Sequence, residues 1–325
     1  MHAGERVRDA AVWTWTWSWS SSASSSPSTS TRPPMATALN SHAVDGFADA
    51  AAYDQHRPSY PPSAVEALLH AAGVGGVTGA RVVDLAAGTG KWTEQLASRP
   101  ERYSIVAVEP HDAMRRQLSS KALDRVAVVD GLSTAMPLDD CSVDALFAAQ
   151  AFHWFADEAS LKEIHRVLKP GGVLAMVWNA EEYNTPLTYP LPPTSYPSLL
   201  RTHLFSLSTP LSDHAPRFRH NTWRRIFDSQ LSSTPLTTAL VSGTNSLFSL
   251  PLGEKTEEWS IYMSEDALWS RFKTMGHVAQ LDVEGLAETR RVFEGAMKGD
   301  GVVRNERGEV EVKGVTVMAW TGKIP

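Results

Sequence analysis

Five short apolar runs, each followed by turn or helix signals, constrain this chain more than any other feature. They span residues 82–85, 103–108, 125–130, 143–149 and 173–178. Between the last two, Leu161, Ile164, Val167 and Leu168 recur at helical spacing, which predicts an amphipathic helix. Strands that are apolar on both faces and alternate with helices must be covered on both sides, which means a parallel sheet in an α/β fold. The 325 residues and an apolar share of 42% are enough for one such domain with additions.

The first run ends in Val82-Val83-Asp84-Leu85-Ala86-Ala87-Gly88-Thr89-Gly90. Glycine lets backbone N–H groups approach a ligand closely, and a helix opening there adds a partial positive charge. Three nucleotide loops compete for it. A phosphate loop fails, because the position that must be glycine holds Leu85 and Trp92 stands where Ser or Thr is required. A dinucleotide fingerprint is weak, because its third glycine falls on Thr93. The third pattern is Asp-x-x-x-Gly-x-Gly after a strand.

The second run ends in Glu109-Pro110, 25 residues after Asp84. An acid at that strand end can accept hydrogen bonds from ribose hydroxyls; alone it reads rather as a solvated carboxylate, and coupled to the glycine loop the ribose role is the better reading. The third run leads into Gly131-Leu132-Ser133-Thr134-Ala135-Met136-Pro137, the fourth into Gln150-Ala151-Phe152-His153-Trp154-Phe155. Leu168-Lys169-Pro170-Gly171-Gly172 reads as a turn before the fifth. Together these pieces resemble the class I S-adenosylmethionine-dependent methyltransferases, in the methyltransferase type 11 group. With Tyr53-Asp54-Gln55-His56-Arg57-Pro58 upstream, they resemble the trans-aconitate methyltransferase-like enzymes that act on small molecules.

The resemblance implies a doubly wound, mostly parallel, seven-stranded Rossmann-like sheet with an antiparallel last strand. It implies a methyltransferase domain over residues 35–325: a core at 47–179, a substrate cap at about 180–250 and a sheet-closing part at 251–325. S-adenosylmethionine would be the cofactor, held by Asp84, Ala86, Gly88, Gly90, Glu109, Pro110, Leu132, Ser133 and Gln150, with Tyr53, Arg57 and Tyr60 in a lid, the tyrosines alternatively packing on the core. Ala86 replaces a usual glycine, and Leu132 and Thr134 stand where acids are usual. Residues 216–227 carry Arg217, Arg219, Arg224 and Arg225. Arginine pairs bidentately with carboxylate, so Arg217, Arg219 and Arg224, with Trp154, are the substrate candidates; the bland reading is a solvated helix face.

His153 is the catalytic candidate, as base or as an orienting wall. A carboxylate acceptor needs no base, whereas a hydroxyl or thiol does. The expected activity is methyl transfer to a small molecule, with the carboxylate of a small organic acid as the expected acceptor. The alternatives are a non-catalytic methyltransferase-like binding protein and, further off, an NAD-dependent oxidoreductase.

Net charge is −6, which argues against a nucleic-acid-binding face. The single cysteine, Cys141, excludes an internal disulfide, and no metal site is expected. No long apolar run predicts a membrane span, so the expected location is cytoplasmic. Residues 1–34 alternate Trp with Ser and Thr and then become Ser-rich, a low-complexity tail expected to be disordered. Met35 is a candidate translation start just beyond it. Ser63 and Glu66 read as a capping box and Gly73 as the end of that helix. Later residues predict strands at 257–263 and 315–320, and helices after Ser264 and from about Val283 to Met297.

Overall fold

The computed structural model describes residues 59–208, 216–231, 247–275, 277–299 and 301–324. The low-complexity tail, Tyr53 and Arg57 lie outside the described residues.

Seven strands form one sheet: β1 (Arg81–Leu85), β2 (Ser104–Val108), β3 (Val126–Val129), β4 (Val143–Ala149), β5 (Leu168–Glu181), β6 (Gly253–Met263) and β7 (Val310–Gly322). Their order is β3-β2-β1-β4-β5-β7-β6. The first five pair in parallel. β7 is antiparallel to both its neighbours, β5 and β6. The expected antiparallel last strand is therefore present, but it lies inside the sheet, and β6 takes the edge. The winding reverses between β1 and β4. In open α/β sheets such a reversal opens a crevice at the carboxyl ends of the strands.

Eight α-helices of the described residues dress the sheet: α1 (Pro62–Ala71), α2 (Lys91–Ala97), α3 (Asp112–Ser120), α4 (Glu158–Val167), α5 (Tyr196–Leu207), α6 (Arg225–Leu231), α7 (Glu265–Lys273) and α8 (Val283–Met297). On one face Val82, Ile105, Phe147 and Val177 pack against Leu68, Leu69 and Leu96 of α1 and α2. On the other, Val83, Val108, Leu146 and Met176 pack against Leu161 and Ile164 of α4 and against Phe218, Trp223 and Phe227. Each such buried aliphatic or aromatic side chain contributes about 1.5–3 kcal/mol. A third cluster joins α5, α7 and α8 through Leu200, Leu204, Phe272 and Phe293, and covers Val310 and Val312 at the start of β7.

The helix ends follow local chemistry. Asp157, Ser195, Ser264 and Asp282 each accept a backbone N–H from the first turn of α4, α5, α7 and α8. The capping box expected at Ser63 is not formed. α1 begins two residues earlier, with Pro62 in its first turn, because proline has no N–H to satisfy there. Ser63 donates to Glu257 instead, and Glu66 pairs with His70 and Arg99. Gly73 does follow the helix end, at φ +71°.

The Lys169–Gly172 turn is likewise not a separate turn. It is an irregularity within β5: the register passes from Val143 opposite Leu168 to Ala145 opposite Val173. The surplus residues are accommodated at Gly171, at φ +76°. Along the edge ladder two glycines face indoles. Gly253 pairs with Trp320 and Gly314 with Trp259, and a Cβ on either glycine would lie 2.2 or 2.1 Å from the ring. Aromatic rings covering cross-strand glycines fix the register of β6 on β7.

Candidate cofactor and acceptor site

β1 delivers Asp84, whose side chain is buried. The chain then turns through Ala86 at φ +56°, Gly88 at +59° and Gly90 at +92° before α2 begins. At Gly90 a Cβ would meet Leu118 Cδ1 of α3 at 2.2 Å, so only glycine fits. Ala86 also occupies the left-handed region, which costs an L-residue roughly 1–2 kcal/mol. The backbone thus keeps a conformation that glycine would adopt freely.

Asp84 Oδ2 accepts from Thr93 Oγ1 at 2.6 Å. Its Oδ1 is buried and has no hydrogen-bond partner among the described residues. Burial, reinforced by the charge on Glu109 and opposed by the Thr93 hydrogen bonds, pushes its pKa up to about 7. Thr93 occupies the position where the dinucleotide fingerprint would have had glycine, and its use here is to hold this carboxylate.

Glu109 closes the other side of the loop. Gly88 N–H donates to its Oε2 and His111 N–H to its Oε1, both at 2.7 Å. Burial pushes this carboxyl above its ordinary range, against the two backbone donors and the nearby His111 and Arg115. Each oxygen still has a second lone-pair direction. Pro110 follows directly, and its carbonyl and that of Glu109 accept from Arg115 Nη1 at 3.0 and 2.9 Å. Arg115 also reaches Asp130 at 3.2 Å. That guanidinium clamp across the ends of β2 and β3 had no sequence signal beyond a charged residue on a helix.

The loop after β3 is a tight turn closed by mutual bonds between Leu132 and Ala135. Ser133 Oγ accepts from Ser160 Oγ at 2.9 Å, and Glu163 Oε1 accepts from Met136 N–H at 2.7 Å, tying the loop to α4. Gly131 packs against Val108 of β2, which keeps Leu132 and Ser133 next to the Glu109 end of the sheet.

β4 contributes Gln150, at φ +58°. Its N–H donates to Val177 O and its Nε2 to Asn179 O, both at 2.7 Å. Asn179 Nδ2 in turn donates to Ser59 O at 3.1 Å, and its Oδ1 accepts from Thr316. Ser59, just before α1, is thereby pinned to β5 near its carboxyl end. Tyr60 is buried there, edge-on to Trp92 at 5.1 Å, so it belongs to the core.

A 3-10 turn, Phe152–Trp154, follows β4 and carries half-buried His153 and Trp154. Their rings lie 5.3 Å apart. Trp178 of β5, fully buried, donates its indole N–H to His153 Nδ1 at 3.1 Å. The same indole packs on Phe218 at 4.9 Å and Trp223 at 4.5 Å. Segment 216–231 is therefore anchored by aromatic contacts beside the His153 turn.

The three candidate arginines lie in or next to this segment's 3-10 turns, engaged with protein groups. Arg224 pairs with Glu254 of β6, bonds Asn221 and stacks on Trp223. Arg219 is buried, donates to Ser208 Oγ at 2.8 Å and lies over the Phe205 ring. Arg217 is also buried. The first-strand loop and Glu109 are thus brought into one constellation. Gln150, His153 and Trp154 lie at the end of the adjacent strand β4, while Arg219 and Arg224 brace residues 216–231 against Ser208 and Glu254.

Residues 83–176 match the methyltransferase domain family. The chain is 44% identical to an uncharacterized methyltransferase of Mycobacterium tuberculosis over 131 residues, 40% of this chain and 50% of that protein. It is 41% identical to an uncharacterized methyltransferase of Schizosaccharomyces pombe over 139 residues, 42% of this chain and 53% of that one. A malonyl-[acyl-carrier protein] O-methyltransferase of Coxiella burnetii is 42% identical over 94 residues, 29% of this chain and 31% of the other. The chain thus spans about half the length of the first two relatives.

Proposed function

We propose that this chain, which carries a class I S-adenosylmethionine-dependent methyltransferase domain, transfers a methyl group to the carboxylate of a small organic acid. The observation that carries the cofactor assignment is the hydrogen bond from Gly88 N–H to Glu109. It joins the β1 loop to the acid of β2, next to the β1–β4 boundary where the winding reverses, and leaves that carboxylate lone pairs for ribose hydroxyls.

The residues present fit the cofactor. Gly88 has open space where a Cβ would stand, apart from Met114 Sδ at 3.7 Å. Asp84 offers a buried oxygen without a partner among the described residues. When bound, S-adenosylmethionine supplies a methyl group on a cationic sulfur that departs as a neutral thioether. Glu109 would hold the ribose, the turn at Ala86 to Gly90 would approach the amino-acid portion, and Leu132 and Ser133 would border adenine. His153 and Trp154 would face the acceptor. With a carboxylate acceptor the chain has no proton to remove; its work is orientation and exclusion of water, which can lower a barrier by roughly 7–11 kcal/mol. The Coxiella relative is named for methyl transfer to an oxygen, which supports an oxygen acceptor here.

Calorimetry with S-adenosylmethionine, S-adenosylhomocysteine and NAD tests the cofactor. Both sulfur compounds should bind, and Glu109→Ala should weaken them at least about tenfold through lost charge-assisted bonds. Tight binding of NAD with neither sulfur compound would overturn the reading. The acceptor is tested by incubating the enzyme with isotopically labelled cofactor and matched carboxylic acids, alcohols and amines, with products read by mass spectrometry. A methyl ester is expected; a methyl ether or methylamine product would remove the carboxylate assignment.

A further inference from the structure

We propose that Trp178 is a positioning residue that fixes the proton of His153 on Nε2, making this histidine a hydrogen-bond donor toward the acceptor rather than its base. The role toward an acceptor rests on the methyltransferase reading; the tautomer itself does not.

An indole nitrogen donates and never accepts, so the nitrogen opposite it must present a lone pair. That nitrogen is His153 Nδ1, at 3.1 Å. A neutral imidazole has one N–H, which is then on Nε2. The alternative tautomer would set two N–H groups against each other. It would also leave the Trp178 donor unsatisfied inside a fully buried ring, a larger loss than an ordinary exposed hydrogen bond.

The indole cannot rotate away to relieve that conflict. Phe218 stacks on it, Trp223 packs at 4.5 Å, and the β5 backbone pairs with β4 and β7 on either side. Phe218 and Trp223 thus help to set the protonation pattern of the His153 ring through the indole they hold.

The chemical consequence is a match between site and acceptor. A carboxylate oxygen forms the new O–CH₃ bond with a lone pair it already has. The C–S pair passes to sulfur, the sulfonium and carboxylate charges cancel, and no proton is released. A donating Nε2–H can hold such an oxyanion in place. A hydroxyl acceptor must lose a proton during transfer, and Nε2 in this tautomer has no lone pair to take it.

Heteronuclear NMR of the ¹⁵N-labelled full chain tests this directly, with His153 ring signals assigned by their loss in His153→Gln. The two-bond and three-bond ¹H–¹⁵N pattern should show the neutral ring with its proton on Nε2 and Nδ1 as an acceptor. Trp178→Phe keeps the stacking surface and removes the N–H. It should raise the proportion of the Nδ1–H form about tenfold, the scale of one lost hydrogen bond. A wild-type ring protonated on Nδ1, or a Trp178→Phe ring with an unchanged tautomer ratio, would overturn the proposal. The wild-type spectrum decides even if the variant does not fold. Failure of S-adenosylhomocysteine to bind would instead strike the methyltransferase reading and leave the tautomer result standing.

Discussion

Asp84 is the residue where burial acts most plainly. Its folded carboxyl keeps its proton to about pH 7, while the unfolded one releases it near 3.8. Between those values the folded state binds more protons, so this residue's contribution makes stability fall as pH rises from about 4 to about 7. Asp84→Asn keeps an acceptor for Thr93 and has nothing to ionise. The variant should gain on the wild type across that window, by up to about 4 kcal/mol in urea unfolding of the cofactor-free protein. A wild-type-to-variant gap that does not change between pH 4 and 8 would show that the buried carboxylate carries no such penalty. Spacing made Asp84, Gly88 and Gly90 candidates, because a strand end followed by glycines has few structural uses, and Glu109 joined them only once coupled to that loop. Thr93, Arg115, Asn179 and Trp178 were not legible. Each acts through a partner on a different element or loop, and nothing local in the chain marks that meeting.

At the scale of elements, the loop after β1 and helix α3 are fitted to one another. Gly90→Ala should destabilise the protein by at least about 2 kcal/mol, from the contact with Leu118 and the left-handed backbone together. Adding Leu118→Ala removes the contact but not the backbone cost, so the double variant should lose less than the two single losses summed. Strict additivity in thermal unfolding would mean that α3 simply moves aside. On the edge ladder, Gly314→Ala must displace Trp259, and a loss of about 1–3 kcal/mol is expected in the same measurement. A neutral result would show that the indole is not held there. The strands and helices themselves were largely legible. Period and length placed β4 at its observed ends and α8 from Val283 to Met297. The errors fell where tertiary pairing overrides local signals: a capping motif whose serine found Glu257, and a Pro-Gly-Gly turn absorbed into β5 as an irregularity.

For the whole molecule, the sheet order unites the pieces and gives ligand binding a stability readout. A ligand that binds the folded state alone stabilises it by about 2.7 kcal/mol at a hundred times its dissociation constant. For a domain of this size that corresponds to a rise in Tm of about 5 °C. S-adenosylhomocysteine should produce this shift in wild type at that concentration, and Glu109→Ala should show a markedly smaller shift at the same ligand concentration. Equal shifts in the two proteins would place the ligand away from Glu109. The parallel half of the sheet was legible because alternation of strand and helix dictates it. The interior position of β7 was not, since no local pattern says which edge a last strand will choose.

That interior position has a consequence for how the chain is made. Synthesis runs from the amino end, so β1 to β5 emerge first and β6 next, yet β6 has no strand to join until β7 arrives. The seam between β5 and β6 closes only when residues 310–322 are inserted between them, about 140 residues after β5 was completed. Contacts so distant along the chain are slow to form. A nascent chain therefore holds β5 with one edge exposed until residues 310–322 have emerged, and the sheet is finished from the inside.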